Sequence, residues 1–261
     1  MTNQDNQDQN KSNVTAIFAE KEDTRLSFVG CENCQAQCCR LLRGKVSLDE
    51  LHDIAQLFPV VFVKKKKRRI EMRFLMSLDL RIYCPYLDLN SKKCTIYEKR
   101  PHTCRRYPFG IGYQTLEGTN TIVCDQVRCP GFQKSLEGLQ LINDGGKVSN
   151  DIIDNFIGRE ILANHKRNYD ATNEFLKLVR KLDLLVSIPP EIAKPTIGLY
   201  HKISEKQLAA LDADSMKLLQ TTGYINAINI QRKSLLKFSI FNKSIPEESA
   251  FPKKNYYYIN Y

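Results

Sequence analysis

Apolar positions along the chain change rhythm several times. Ser47-Leu48-Asp49-Glu50 is a Ser-x-x-Glu capping box, and Leu48, Leu51, Ile54, Ala55 and Leu57 follow at helical spacing. This predicts a helix from Leu48 to about Phe58, closed by Pro59. Pro59 to Tyr83 reads as extended, with β-branched and aromatic residues on both sides of a basic run at Lys64 to Arg69. A hairpin is expected there, without an Asn-Gly or Asp-Gly turn to fix it. Four prolines (Pro85, Pro101, Pro108, Pro130) and four glycines (Gly110, Gly112, Gly118, Gly131) punctuate residues 84–135, which predicts short elements and loops.

Asp144-Gly145-Gly146 marks a boundary, and beyond it the pattern turns helical. Ile152, Ile153, Phe156, Ile157, Ile161 and Leu162 fall on one face, as do Phe175, Leu176, Val179 and Leu182, in one long helix or two broken near Gly158 or Asn168. Thr196 to His201 is expected as a strand, and Ser204 to Gln207 is a second capping box that opens a helix through Leu211. A further helix ends at Gly223, and another runs from Tyr224 to Phe241. Upstream, Thr24 to Val29 reads as a short strand, and residues 1–23, rich in Asn, Gln and Asp, as a disordered tail. The pattern predicts an α+β fold: an irregular Cys-rich, metal-stabilised N-terminal module with short strands over 24–135, a mostly α-helical C-terminal module over 140–245, and an irregular tail over 246–261.

Composition narrows the class. The hydrophobic share is 42% and the charged share 26%, an ordinary globular balance. The longest near-continuous apolar run, Leu57 to Val63, is far short of a membrane span, and the polar N-terminus lacks the apolar stretch of a secretory signal. A cytoplasmic protein without membrane contact is expected. All nine Cys lie between Cys31 and Cys129, and in a reducing compartment such confinement points to metal or redox chemistry. The net charge of +10 is concentrated in the same place, since residues 31–135 carry 19 Lys/Arg against 10 Asp/Glu. Nearby cations favour thiolates, the ligating form of Cys, so charge and cysteines read as one design.

The spacing is Cys31-x2-Cys34-x3-Cys38-Cys39, then Cys84-x9-Cys94-x9-Cys104, then Cys124 and Cys129. CENCQAQCC resembles the C-x-x-C-x-x-x-C-C signature of the YkgJ-type cysteine-cluster family, described as zinc- or iron-chelating. CPYLDLNSKKCTIYEKRPHTCRRYPF is similar to that family's second block, and CPGF at Cys129 to its closing Cys-Pro-Gly. The resemblance implies Cys31, Cys34, Cys38, Cys39, Cys84, Cys94, Cys104 and Cys129 as ligands, leaving Cys124 without a counterpart. The single C-x-x-C knuckle with a distant fourth Cys favours an iron–sulfur cluster over zinc. The competing view treats each Cys as a small buried hydrophobe.

Arg40, Arg43, Arg100, Arg105 and Arg106 flank these cysteines, either donating to thiolates, binding an anion, or holding the loops. His102 is a substitute ligand at most, and His52, His165 and His201 carry no assigned role. The expected function is a metal-binding protein with a structural or redox role. The alternatives are a protein-modifying enzyme, since flagellin lysine methylases carry a similar cluster, and a zinc-stabilised nucleic-acid binder using Lys64 to Arg69. That run contains no stacking aromatics, which favours a solvated hairpin face over a nucleic-acid site. Phosphate-loop, dinucleotide, metalloprotease and serine-nucleophile motifs are absent from the sequence. From Ile203 to Leu236 the chain resembles the helical end of SapC-like bacterial proteins, and these C-terminal helices are the expected surface for a protein partner.

Overall fold

The computed structural model describes residues 14–16, 26–28, 37–40, 43–66, 69–78, 83–112, 120–124, 129, 131–134, 139–140, 148–189 and 200–243. In chain order the strands and helices of the first part are β1 (Val14–Ala16), β2 (Leu26–Phe28), β3 (Arg43–Lys45), α1 (Leu51–Leu57), β4 (Val60–Lys64), β5 (Ile70–Leu75), β6 (Leu87–Asp88), β7 (Lys93–Cys94), α2 (His102–Arg105), β8 (Phe109–Gly112), β9 (Asn120–Cys124), β10 (Phe132–Lys134) and β11 (Leu139–Gln140). Then follow α3 (Asn150–Ile152), α4 (Arg159–Lys181), β12 (Leu185–Ser187), β13 (Tyr200–Ile203), α5 (Glu205–Ala209), α6 (Ala213–Thr221) and α7 (Tyr224–Ser234). The molecule is a mixed α/β protein, with antiparallel sheet in the N-terminal half and helices in the C-terminal part.

The predicted hairpin is the centre of the fold. β4 and β5 pair antiparallel from Val60 opposite Phe74 to Lys64 opposite Ile70, with Lys65 N donating to the Arg69 carbonyl at 2.8 Å just beyond. They occupy the middle of a five-stranded sheet ordered β12-β13-β4-β5-β3. The alternation of side chains along a strand explains why Val60 to Val63 is apolar at every position. Val60 and Phe62 face a core with Leu51, Ile54, Phe74 and Phe175, whereas Val61 and Val63 face a second with Ile188, Tyr200, Phe238 and Phe241. Both faces of the sheet are covered, so both sets must be apolar. Gly44 on β3 lies opposite Phe74, whose ring occupies the space a Cβ would need. Only glycine fits there.

The two C-terminal strands complete this sheet: β13 pairs with β4 on one side and β12 on the other. Thr196 to Leu199 of the predicted strand lie outside the described residues, and the observed strand extends past His201 to Ile203. α4 closes the first core with Leu162, Thr172, Phe175, Leu176 and Val179 buried. It starts after Gly158, whose φ of 85° breaks the preceding π-helical turn. Phe175 contacts Phe62 and Tyr224 at ring separations of 6.4 and 5.3 Å.

Two helix boundaries differ from expectation. The Ser47 capping box does not form. α1 begins at Leu51, and Glu50 sends its carboxylate away from the helix to the backbone N–H of His102 at 2.6 Å. A tertiary bond outcompetes the local one. Ser204 does cap α5 as predicted, accepting from Gln207 N at 3.2 Å. The last helix is α-helical only to Ser234 and then winds as a 3₁₀ helix from Leu235 to Lys243.

The expectation of an irregular N-terminal module held by metal is corrected. Hydrophobic clusters organise this part of the chain, and five of the described cysteines join them. Cys39 and Cys84 are buried in the first core, with Cys38 and Cys104 packed against it. Cys129 is buried in a separate cluster with Phe109, Ile122, Val148 and Ile152. These are the small buried hydrophobes of the competing view.

Candidate functional site

α2 divides two chemically distinct regions. Its four residues follow the buried Pro101, and Cys104 N and Arg105 N donate to the Pro101 carbonyl at 2.9 and 3.0 Å. One side of this turn carries Cys104, whose Sγ lies 3.8 Å from Met76 Sδ. The other carries His102 and, just beyond the helix, Arg106, which both line a cleft.

On the thiol side, Cys38 and Cys39 share a 3₁₀ turn, and Cys84 N donates to the Cys39 carbonyl at 2.9 Å. Cys94 sits on β7 opposite Leu87. Cys38, Cys39, Cys84, Cys94 and Cys104 come within electrostatic reach of one another. A hydrogen bond from the Cys39 thiol lowers the Cys38 pKa to about 7, with Arg100 contributing and burial opposing. That donation and burial push Cys39 up. Burial raises Cys84 to about 12 and also raises Cys94 and Cys104. Of the flanking arginines, Arg100 stacks on Tyr97 at 3.6 Å and bonds its carbonyl, while Arg105 donates to the Glu98 carbonyl at 2.5 Å. Both hold the loop.

Cys31 and Cys34 lie outside the described residues, and Cys129 stands apart in its own cluster. Cys124 ends β9, opposite Phe109. Among the described residues, no group of three or more His, Cys, Asp or Glu side chains is arranged to hold a metal ion.

The other side of α2 is a cleft of about 740 Å³, between α4 and the β3–β5 edge of the sheet. Four separate stretches of chain supply its polar wall: Lys45 to Glu50, Arg69 to Met72, His102 with Arg106, and α4 from Ile161 to Arg180. Glu50 is buried at 8% exposure, and burial raises its pKa against the pull of His102 and Arg106. His102 Nδ1 lies 3.3 Å from Glu50 Oε1. Burial lowers the pKa of Arg106 although Glu50 and Asp49 oppose the shift. Lys45 keeps contact with solvent, yet lost hydration lowers its pKa, and repulsion from Arg73 and Arg106 adds to the effect. His165 is held down at about 4 by burial and then by the Arg106 charge.

Most acidic groups of the wall are already engaged. Glu71 pairs with Arg73 at 2.5 Å, Asp170 with Lys166 at 2.6 Å and Glu174 with Lys177 at 2.7 Å. Asp49 accepts from Asn168 Nδ2 at 2.7 Å. No sequence signal marks this site. Spacing alone gives His165 no role and makes Glu50 a helix cap, and no local pattern joins residues 45, 50, 106 and 165.

Among the described residues, no helix is long and apolar enough to cross a membrane. No solved structure matches the chain. The SapC family profile matches residues 39–240, from Cys39 through nearly the whole 3₁₀ helix, and so covers the sheet, α4 and the cleft together. This overturns the YkgJ-type resemblance and, with the missing ligand group, the metal-binding, iron–sulfur and zinc assignments that rested on it. The likeness to flagellin lysine methylases and the zinc stabilisation of the nucleic-acid alternative rested on the same cluster and fall with it. The spacing misled because thiols drawn into an apolar core can produce the same intervals as thiols drawn to an ion. The chain belongs to the SapC family.

Proposed function

We propose that this protein binds a small polar molecule in the cleft between α4 and the β3–β5 edge. One observation carries the reading: charged groups from four distant stretches of chain converge on a single concave space of about 740 Å³, several with pKa values displaced by burial. Taking charge out of water is costly, so ionisable groups gathered this way mark a site more often than a core. The volume suits a small ligand, within the usual range of about 300–1,000 Å³ for such sites.

The cleft has a firm frame on both sides. Thr172 Oγ1, from α4, accepts the N–H of Leu48 at 3.0 Å, and Asn168 holds Asp49. Glu50 ties the start of α1 to the start of α2. These bonds hold the cleft walls before any ligand arrives, which reduces the ordering cost of binding.

A library of polar metabolites, both charged and neutral, screened by thermal shift and confirmed by calorimetry, tests the proposal. At least one compound should bind saturably to the wild type. Asn173→Trp, which places a large ring in the cleft wall, should abolish that binding while leaving the circular dichroism spectrum intact. Compounds that bind both forms equally would place the ligand elsewhere and refute the reading.

A further inference from the structure

Resting on the ligand-binding reading above, we propose that the cleft takes a small anion, a carboxylate or phosphate group held between Lys45 and Arg106. The acidic groups on the β5 and α4 walls face cations at ion-pair distance, and Asp49 is held by Asn168. Lys45 and Arg106 differ. Among the described residues, no carboxylate lies within 4.0 Å of either, and neither side chain takes part in a hydrogen bond.

These two cations also sit close enough to repel one another, and both repel a proton on His165. Glu71 beside Lys45, and Glu50 and Asp49 beside Arg106, offset this only in part. The Glu50 carboxylate already accepts the His102 N–H, and its burial disfavours its own charge. The result is an electropositive cleft floor with spare donors: five N–H bonds on a guanidinium and three on an ammonium. A planar guanidinium beside an ammonium matches the oxygens of a carboxylate or phosphate, one group binding as a fork and the other as a point charge. A bound anion would relieve the repulsion among Lys45, Arg106 and His165 while giving their N–H groups acceptors. His165 becomes a reporter, because an anion beside it favours the imidazolium.

Beside burial, the largest influence on His165, the charged groups that bear on its titration come from three separate stretches: Arg106 after α2, Asp49 before α1 and Lys45 on β3. Of these, only the cations hold the proton off, and they are the groups an anion would neutralise.

The test measures binding of inorganic phosphate and, separately, acetate to the full chain by calorimetry. His165 Cε1–H is followed by NMR across a pH titration with and without each anion. At least one anion should bind saturably and move the His165 midpoint upward from about 4. Lys45→Gln and Arg106→Gln should each weaken binding about ten- to hundredfold, the range for a lost hydrogen bond to a charged group. Lys206→Gln, an exposed cation on α5 away from the cleft, should leave it unchanged. Because Arg106 is deeply set, Lys45→Gln carries the test if Arg106→Gln fails to fold. Tighter phosphate than acetate binding selects a phosphate ligand, and the reverse a carboxylate. Anion binding indifferent to Lys45→Gln overturns the proposal. So does a folded protein that binds neither anion. If that protein still takes up neutral molecules blocked by Asn173→Trp, the ligand-binding reading survives alone, and if it takes up nothing, both fall.

Discussion

The junction of α7 with the sheet offers a test of how the C-terminal helices hold the fold. The paired register of β13 on β4 ends with His201 opposite Phe62, so Val60 lies past the last paired position. Val60 is fully buried, and its backbone needs partners. α7 supplies them from side chains: Val60 N–H donates to Ser234 Oγ at 2.9 Å, and Val60 C=O accepts from Gln231 Nε2 at 2.8 Å. Ser234→Ala removes the acceptor and strands a buried N–H, which costs about 1–3 kcal/mol. It adds no compensating contact. Gln231→Leu strands the Val60 carbonyl at a similar cost, but it also deletes Gln231 Oε1. Among the described residues that oxygen is enclosed without a hydrogen-bond partner. Removing it returns much of the loss.

The expected order is therefore a loss of about 2 kcal/mol for Ser234→Ala and about 1 kcal/mol or less for Gln231→Leu. For a body of this size the first corresponds to a fall in Tm of roughly 4–8 °C. Urea titrations followed by circular dichroism measure both, with m-values compared to confirm that the unfolding transition is unchanged. Because both side chains serve one peptide group, the double variant should depart from additivity. Ser234→Ala within about 0.5 kcal/mol of wild type, the usual range for a harmless surface change, would refute the reasoning. A Gln231→Leu loss larger than that of Ser234→Ala would refute it too.

Three further outcomes are expected. Cys38 should react with iodoacetamide ahead of Cys84 and Cys94, with a rate midpoint near pH 7 that rises in Cys39→Ala; peptide mapping showing Cys94 faster would contradict the Cys39 donation. Glu50→Gln should gain stability on the wild type as pH rises. The raised Glu50 pKa means its contribution is full below the usual carboxylate range and is lost as pH climbs through the shifted value, so a flat or inverted difference in paired urea titrations would count against burial as the cause. Phe175→Ala should cost about 3–5 kcal/mol, because the ring is fully buried between Phe62 and Tyr224, and a loss under about 1 kcal/mol would show that the core collapses into the space.

Elements whose evidence is local were legible. The β4–β5 hairpin announced itself through two apolar runs split by cations, and Ser204 formed the cap its spacing required. Non-local partners decided the rest. Glu50 had the right spacing to cap α1 but lies beside a buried N–H from a residue 52 positions away, and that bond won. The change of helix type after Ser234 follows from packing as well. Leu235, Phe238 and Phe241 recur every three residues, which a 3₁₀ helix stacks on one face, and all three pack into the core behind β4. The pattern suggests a continuous α-helix because these same residues also satisfy a helical period loosely. β12, only three residues long, has too little pattern to be found at all.

The site shows a sharper form of the same limit. Cysteine spacing is a one-dimensional signal, and it reports that thiols are wanted near one another without saying why. In this chain Cys38, Cys39, Cys84 and Cys104 gather at an apolar core that also holds Leu51, Phe58 and Phe74. A metal centre would require several sulfurs to converge on one point, a condition on directions that spacing does not encode. The cleft residues gave the opposite signal, each unremarked in its own neighbourhood: Lys45 in a strand, Glu50 beside a helix start, Arg106 among flanking arginines, His165 within a long helix. Their meaning lies in a sum. Each cation makes the other cations more costly to bury, Glu50 offsets them only in part, and that cost exists only once the sheet and α4 have brought them together. A sequence can conceal an electrostatic site of this kind while advertising a thiol cluster, because unfavourable charge proximity leaves no periodic trace along the chain.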